Sequence, residues 1–246
     1  MLYVTGDTHR NFSRFSPDRF REMRAMTKAD TVIICGDFGG LWYGGRRDEI
    51  QLELLEDLPF TIAFVDGNHE NFAALSKYPV EEWNGGKVQF LRPHVIHLMR
   101  GQIFTLEGHT FFTMGGASSH DIQDGILDPA AEGYQKKFFC LLIEGRRQYR
   151  ILGQSWWPEE LPSGEEYAEA RRNLDASGWT ADYIITHSPP SGLAEMLGRP
   201  RNELTDFLEE IRRKGRYCRW MFGHCHGDQA IDEKHLLLWE EIVRVV

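Results

Sequence analysis

The segment Thr31-Val32-Ile33-Ile34-Cys35-Gly36-Asp37 decides the fold. Its first five residues are apolar or β-branched, which predicts a buried β-strand because a strand covered on both faces needs no polar alternation. The strand then ends at a glycine followed by an aspartate. Two similar strands are predicted over Leu2–Thr5 and Phe60–Val65, and each also leads into a glycine and a polar side chain.

Helical signals lie between these three strands. We predict one helix that begins at Ser16, with Pro17 at its first position, and another over Asp48–Leu58 that Pro59 ends. Strands that alternate with helices of this length indicate βαβ units and parallel strands. In such sheets ligands gather at the carboxyl ends of the strands.

Short apolar runs follow in the middle of the chain. We predict strands over Val95–Leu98, Gln102–Leu106 and His109–Met114, joined by hairpin turns at Arg100-Gly101 and Glu107-Gly108. Residues 115–160 are rich in turn-forming residues, and there we predict a long loop with one helix around residues 134–142.

Helices and strands alternate again towards the end of the chain. Ser163 begins a capping box, and the helix it starts ends at Gly178. The remaining predicted elements are a strand over residues 182–186, a helix over 201–214 and strands over 218–222, 236–239 and 242–246. No repeat or linker interrupts the pattern, so we predict one domain over residues 1–246.

The charge balance excludes some classes of partner. The 28 Lys and Arg residues face 37 Asp and Glu residues, a net charge of −9, whereas a protein that grips long nucleic acid usually has a basic surface. Small phosphorylated substrates stay possible because metal ions can supply positive charge. The chain has no apolar run long enough for a membrane span and no secretory signal at Met1, and none of its four cysteines forms a C-x-x-C pair. We therefore expect a cytoplasmic protein.

Metal-ligating side chains follow the predicted strands. Carboxylate, imidazole and amide groups without a placed thiolate suit Mn, Fe, Co, Ni or Zn, and two neighbouring carboxylates need a cation to offset their repulsion. Seven ligands are too many for one ion but fit two that share a carboxylate. Two such ions activate a bridging water for in-line attack on phosphorus. The candidate ligands are Asp7, His9, Asp37, Asn68, His187, His224 and His226, and His69 follows Asn68 after the same strand.

Five motifs in this order identify the chain as a member of the calcineurin-like metallophosphoesterase superfamily. They are Asp7-Thr8-His9, Gly36-Asp37, Gly67-Asn68-His69-Glu70, His187 and Gly223-His224-Cys225-His226. The resemblance implies an α/β fold of four layers, in which two mixed β-sheets pack face to face and helices flank them outside. It also implies a metal-dependent phosphoester hydrolase that uses a metal-bridged hydroxide.

The resemblance implies a role for each motif residue. One metal takes Asp7, His9, Asp37 and His226, and the other takes Asp37 as the bridge with Asn68, His187 and His224. The two ions are divalent, with manganese favoured. His69 matches the histidine that stabilises the transition state or protonates the leaving group. The substrate is a phosphorylated small molecule or a phosphodiester.

Two departures separate the chain from the Ser/Thr protein phosphatase branch. That branch has an aspartate that orients the catalytic histidine and an arginine that grips phosphate, where this chain has Gly40 and Leu41. The motif Gly-His-x-His resembles the phosphodiesterase-type branches more. A nuclease of the same superfamily and a non-catalytic metal-binding interaction module are the alternatives.

Several residues near the motifs are candidates for secondary roles. Arg10, directly after the first motif, is a candidate contact for a substrate phosphate. Arg46 and Arg47 could replace the missing arginine, but we expect a solvated helix start. Ser118-Ser119-His120-Asp121 could reach the site, but we expect an ordinary turn, and for Trp156 and Trp157 we expect packing and not stacking on a base. Asp66 and Glu70 are candidate partners of ligands.

Overall fold

The computed structural model describes all residues from 1 to 246. The strands are β1 (Leu2–Thr5), β2 (Thr31–Ile34), β3 (Thr61–Phe64), β4 (Val80–Trp83), β5 (Gly86–Arg92), β6 (Val95–Leu98), β7 (Gln102–Leu106), β8 (His109–Met114), β9 (Gly125–Leu127), β10 (Tyr149–Ile151), β11 (Tyr183–Thr186), β12 (Arg219–Phe222), β13 (Gln229–Ala230), β14 (His235–Leu237) and β15 (Ile242–Arg244). The helices are α1 (Arg46–Glu56), α2 (Phe72–Leu75), α3 (Tyr134–Ile143), α4 (Gly164–Ala176), α5 (Ser191–Met196) and α6 (Glu203–Lys214).

The strands form two large mixed sheets and one small one. The first sheet has the order β15-β1-β2-β3-β6-β5-β4, and β1, β2, β3 and β6 run parallel in it. The second sheet has the order β13-β14-β12-β11-β8-β7, with β14, β12, β11 and β8 parallel. A separate parallel pair, β9 with β10, lies within the segment 115–160.

Three apolar clusters hold the layers together. Residues of both large sheets pack against each other in the middle, among them Ile33, Ile96, Phe111 and Met221. Helix α1 covers the outer face of the first sheet, and α4 and α6 cover the outer face of the second. Each central strand is thus buried on both faces, which explains its unbroken apolar sequence. The predicted four-layer α/β fold is confirmed.

The helix predicted to begin at Ser16 is wrong. That segment forms two short 3₁₀ helices instead, Ser13–Phe15 and Arg21–Ala25. Phe20 and Met23 are both buried in the core of the first sheet's outer face. Since the second 3₁₀ helix turns every three residues, this spacing brings both side chains to the core where a continuous α-helix does not form.

One of the two predicted hairpins is also wrong. Strand β6 belongs to the first sheet and β7 to the second, so the turn at Arg100-Gly101 carries the chain from one sheet to the other. The hairpin at Glu107-Gly108 is confirmed, since β7 and β8 pair antiparallel up to Leu106 and His109. Its two turn residues have φ of 52° and 78°, as a tight hairpin requires.

Several further elements were missed in the sequence, among them the strands β4, β5, β9 and β10. A hairpin joins β4 to β5 through Asn84-Gly85, whose φ angles are 50° and 92°. Asn-Gly is a strong hairpin signal, so this hairpin could have been predicted from the sequence. The helix predicted near residues 134–142 is confirmed as α3, but the flanking strands β9 and β10 are only three residues long and leave little pattern.

None of the helices combines the length and the apolar character that crossing a membrane requires. All four cysteines are free thiols, and Cys35 is buried at the end of β2, as its apolar surroundings predict. Cys225 packs partly buried against the core of the second sheet, as predicted.

A buried ion pair fastens the crossing between the two sheets. Arg100, in the crossing turn, donates through Nε to Oδ2 of Asp66 at 2.9 Å, and His97 Nε2 lies 3.2 Å from the other carboxylate oxygen. Both partners of the ion pair are almost fully buried. Asp66 was a candidate partner for a metal ligand, but it binds these two residues instead. Burial raises the pKa of Asp66, but the charges and hydrogen bonds of Arg100 and His97 together outweigh it and leave the pKa below its usual value.

We expect Arg100→Met to lower the free energy of unfolding by about 3–5 kcal/mol, because it leaves the Asp66 carboxylate buried without its cation. A carboxyl with a depressed pKa stabilises the fold above its unfolded pKa, and this contribution is lost as the pH falls below about 4. The deficit of the variant is therefore largest at neutral pH. Urea unfolding at several pH values measures it. Arg171→Met, which breaks an exposed pair with Glu210, is the control and should cost less than about 1 kcal/mol; equal losses would contradict the prediction.

Candidate metal centre

The carboxyl ends of parallel strands from both large sheets meet at one edge of the molecule. The predicted site residues follow these strands directly. Asp7 and His9 come after β1, Asp37 after β2, Asn68 and His69 after β3, His187 after β11, and His224 and His226 after β12. The arrangement joins residues from both ends of the chain in one place, as the motif order predicts.

Four of these side chains form a compact group. Asp7, His9, Asp37 and His226 each offer a ligand atom within 4.8 Å of the other three. The Nε2 atoms of His9 and His226 are 2.9 Å apart, and Oδ2 of Asp7 lies 3.2 Å from Nε2 of His226. Two carboxylates and two imidazoles at this spacing could hold one divalent ion.

A second group adjoins the first through Asp37. Its Oδ1 atom lies 3.4 Å from Nε2 of His187, and the rings of His187 and His224 are 5.0 Å apart. The Nδ1 atom of His187 donates to the carbonyl of Cys35 at 2.7 Å, so its Nε2 atom carries the lone pair when the ring is neutral. Nε2 of His187 and Oδ1 of Asn68 are both buried without a hydrogen-bond partner. Buried acceptors without partners fit a cation, so these residues could hold a second one.

The orientation of the Asn68 amide is set by a chain of hydrogen bonds. Its Nδ2 atom donates to Oγ of Ser119 at 3.3 Å, and that hydroxyl donates to Oε1 of Glu160 at 2.8 Å. Because the Ser119 proton goes to the carboxylate, its oxygen is free to accept from the amide, and Oδ1 is the end of the Asn68 amide that is left without a partner. Sequence reasoning judged the turn at Ser119 an ordinary one and missed Glu160.

The backbone is strained at the ligand positions. Five non-glycine residues here have a positive φ, a conformation that costs on the order of 1 kcal/mol or more at each residue. Such strain persists only where the surrounding fold imposes it, and it occurs most often at functional sites. The residues are His9 (42°), Arg10 (67°), Asp37 (47°), His224 (63°) and His226 (51°).

Burial and opposite charges set the protonation of His187. Burial lowers its pKa, but the carboxylates of Asp37 and Asp7 outweigh burial and raise the pKa to about 10. Burial also raises the pKa of Asp37, yet the charge and hydrogen bond of His187, with His69 and His9, together bring it below its usual value. In the metal-free protein His187 is thus a cation that offsets the two carboxylates. A metal ion that takes Nε2 must displace this proton, so binding weakens as the pH falls.

Burial lowers the pKa of three further imidazoles of the site. Burial, and then the charge of His187, bring the pKa of His224 well below its usual value. Burial likewise lowers the pKa of His9 and of His69, although Asp37 opposes this at both. A neutral imidazole offers a lone pair, which is the form that binds a metal ion.

Two buried side chains, Arg14 and Glu70, hold the loops that carry Asp7 and Asp37 in place through hydrogen bonds to their backbone. Arg14 donates through Nη2 to the carbonyl of Asp7 at 2.6 Å and through Nη1 to the hydroxyl of Thr5 at 2.8 Å. Glu70 accepts from the backbone N–H of Phe38 at 2.7 Å, directly after Asp37. Glu70 therefore acts on the backbone beside a ligand and not on a ligand side chain. Sequence reasoning missed Arg14, which lies outside every motif.

His69 stands at the rim of the site. Its backbone N–H donates to Oδ1 of Asp37 at 2.7 Å, and its ring lies edge-on to that of His9 with centroids 5.2 Å apart. No side chain hydrogen-bonds the ring of His69. The ion pair of Asp121 with Arg150 lies near it, and both charges act on its pKa.

The candidate contacts beyond the motifs have different surroundings. The guanidinium of Arg10 lies 3.5 Å from Asp48 and over the ring of Tyr43, so its substrate contact stays a prediction. Arg46 and Arg47 are exposed at the start of α1. Trp157 is buried against Trp42 and Phe72, which confirms packing as its role, and Trp156 is partly buried beside it.

Glycines make room for the carboxylates. A Cβ atom on Gly223 would lie 2.0 Å from Oδ1 of Asp7, and one on Gly67 would lie 2.1 Å from Oδ1 of Asp37. No real contact is this short, so either carboxylate would have to move if the neighbouring glycine were replaced. The glycines of these motifs are thus steric requirements of the site.

We expect Gly223→Ala to weaken metal binding by at least about 100-fold, because the new methyl group displaces the Asp7 carboxylate. Metal titration followed by elemental analysis measures the effect. Gly164→Ala is the matched control, since a Cβ atom there meets nothing within 4 Å and the residue begins α4. Undiminished metal binding by the Gly223 variant would contradict the steric argument.

Comparison with known proteins agrees with this geometry. The sequence model of the calcineurin-like phosphoesterase family matches residues 1–228 of the 246. The chain belongs to this family. A search of curated proteins finds no match. Calcineurin-like phosphoesterases are metal-dependent phosphoester hydrolases, and the match spans every strand end that carries a predicted ligand.

The family implies divalent metal ions, and the residues present fit them. The atoms that a cation needs are the ones left without partners here, Nε2 of His187 and Oδ1 of Asn68. Oxygen and nitrogen donors alone surround the site, which suits first-row divalent ions. The residues present can therefore bind the divalent metal ions that this family implies.

Proposed function

We propose that the protein is a dinuclear metal-dependent phosphoester hydrolase. The observation that carries this proposal is the position of Asp37 between two ligand groups, with Oδ2 3.6 Å from Nε2 of His9 and Oδ1 3.4 Å from Nε2 of His187. A carboxylate with one oxygen towards each group suits a bridge between two ions.

The seven ligands divide between two sites in this proposal. Asp37 is common to both, and manganese is the favoured metal because hard carboxylate oxygens contribute to each set. The first site takes Asp7, His9, Asp37 and His226, and the second takes Asp37, Asn68, His187 and His224. When bound, the two ions activate water as the nucleophile and neutralise the charge that develops on the phosphoryl oxygens.

Residues of the chain then orient the reacting groups and supply a proton or a hydrogen bond to the substrate. Asp37 aligns the loop of His69 by accepting its backbone N–H, which keeps the imidazole at the rim. His69 donates a proton to the leaving oxygen or a hydrogen bond to the phosphoryl group. The strained loops keep these groups in place before substrate arrives, so no reorganisation is needed on binding.

We infer the substrate class from charge. The net charge of −9 makes extended nucleic acid an unsuitable partner, whereas a small phosphomonoester or diester needs only the cationic site. Residues from both sheets build the site, which supports a single catalytic domain over the whole chain. The free cysteines support a reducing, cytoplasmic location.

The test compares two chromogenic esters. We expect protein freed of metal by a chelator to regain activity with Mn²⁺, and we would measure p-nitrophenyl phosphate and bis-p-nitrophenyl phosphate side by side. The ratio of the two rates assigns monoester or diester preference. Activity that persists in metal-free protein would overturn the metal-dependent mechanism. Inactivity on both esters with metals bound would favour the non-catalytic module.

A further inference from the structure

A small cleft adjoins the candidate metal centre on the side of the second sheet. Its volume is about 60 Å³, and His224 forms part of its wall. The other polar walls come from the segments after β8 and β11 and from the loop that precedes α6. They are Ser118, His120, Ser188, Arg199 and Asn202.

The cleft is positively charged in a protein that is acidic overall. No aspartate or glutamate lines it. Arg201, two residues beyond Arg199, is paired with Glu195 and Asp206, whereas Arg199 forms no ion pair. Arg199 lines the same cleft as His224, the first of the two histidines of the last motif. Arg199 is thus an unpaired cation held beside the site.

The other arginines near the site are already neutralised or engaged. Arg150 is paired with Asp121, Arg10 faces Asp48, and Arg14 is bound to backbone carbonyls. His120 also lies on the cleft, with its ring 5.9 Å from that of His224. Arg199 and His120 both lie on the wall of this one cleft. The cleft therefore presents a guanidinium and an imidazole to the same small space.

We propose that Arg199 and His120 bind a second phosphoryl group of the substrate, next to the one that is hydrolysed. This inference rests on the proposed function, because the wall formed by His224 places the cleft beside the metal ligands. A guanidinium matches the oxygens of a phosphoryl group in two parallel hydrogen bonds. The cleft is small, with a volume of about 60 Å³, which suits a compact anion. The preferred substrates then carry two neighbouring phosphoryl groups.

Two non-hydrolysable ligands test this assignment. Methylenebisphosphonate carries two phosphoryl groups and methylphosphonate one, and their binding to the Mn²⁺-loaded protein is measured by calorimetry at fixed free Mn²⁺. We expect the wild type to bind the bisphosphonate more tightly. In Arg199→Ala the ratio of the two affinities should fall by about 10- to 100-fold, the usual effect of a hydrogen bond to a charged group. Arg201→Ala is the matched control and should keep the wild-type ratio.

The outcomes separate this inference from the proposed function. Loss of catalysis does not affect a calorimetric ratio, so a protein that hydrolyses neither chromogenic ester can still support the second phosphoryl site. An unchanged ratio in Arg199→Ala, or an equal loss for both ligands, would overturn the inference. Arg199→Lys keeps the charge but not the paired hydrogen bonds, and we expect it to recover part of the ratio. If the alanine variant fails to fold, a wild-type ratio in both Arg199→Lys and His120→Ala would overturn it equally.

Discussion

Asp37→Asn is expected to lower kcat/KM by at least about a thousandfold, which corresponds to ~4 kcal/mol of transition-state stabilisation. The substitution removes one negative charge from the carboxylate that lies between the two ligand groups. Asparagine is the least disruptive replacement, because it tolerates the positive φ of 47° at this position. Any loss therefore reports the missing charge and not a distorted loop. Steady-state kinetics with p-nitrophenyl phosphate and the metal content of the purified variant measure it.

A second readout of this variant needs no metal. The Asp37 carboxylate is the largest of the influences that raise the pKa of His187 to about 10. In metal-free Asp37→Asn protein the imidazole should titrate at a lower pH, which NMR can follow. Asp182→Asn is the control, since Asp182 lies before β11, at the opposite end from His187, and accepts hydrogen bonds from Thr110. Wild-type metal content and activity in the Asp37 variant would exclude a bridging role.

His69→Ala is expected to lower kcat by about 10²- to 10⁴-fold, the range for loss of a general acid. The metal content should stay that of the wild type, because the proposed ligand sets do not include this imidazole. The effect should be larger for phenyl phosphate than for p-nitrophenyl phosphate, since the weaker leaving group needs more help from a proton donor.

The leaving-group comparison decides between the two roles of His69. An equal loss with both esters would assign electrostatic stabilisation of the phosphoryl group in place of proton donation. His109→Ala serves as the control, because His109 begins β8 and its side chain is 42% exposed. Activity of the His69 variant within about threefold of wild type would contradict both roles.

The positions of the candidate ligands in the fold could be predicted because each of these residues follows an apolar strand. A residue that directly follows a parallel strand lies at the carboxyl edge of the sheet, so Asp37 and His187 could be placed from the apolar segments before them. The same reasoning predicted the pair Asp7 and His9 after β1 and the pair His224 and His226 after β12, each at positions i and i+2. No tertiary information was needed for these positions.

The supporting residues could not be predicted, because they do not directly follow regular strands. Ser119 and Glu160 are 41 positions apart and meet only because the segment between them folds back over the site. Arg14 donates to the carbonyl of Asp7 from a short 3₁₀ helix. The sequence predicts only an α-helix that begins after it, at Ser16. Contacts of this kind depend on irregular backbone, which leaves no periodic pattern.

The turn at Arg100-Gly101 shows a further limit. Two short apolar runs with a glycine between them fit a hairpin and a crossing between sheets equally well. The difference lies in partners far away in sequence, since β6 pairs with β3 and β7 pairs with β8. The buried ion pair of Arg100 with Asp66 stabilises the crossing. Arginine and aspartate are mostly exposed in proteins, so the sequence does not predict their burial.

The contact between His9 and His226 joins positions 217 residues apart. An ion held by both would bind only the folded chain, so the free metal concentration would enter the folding equilibrium through mass action. Metal supply in the cell would then govern the abundance of the protein as well as its turnover number, because chains that lose their ions open more often to proteases. Starvation for that metal would lower the amount of the protein and not only its activity.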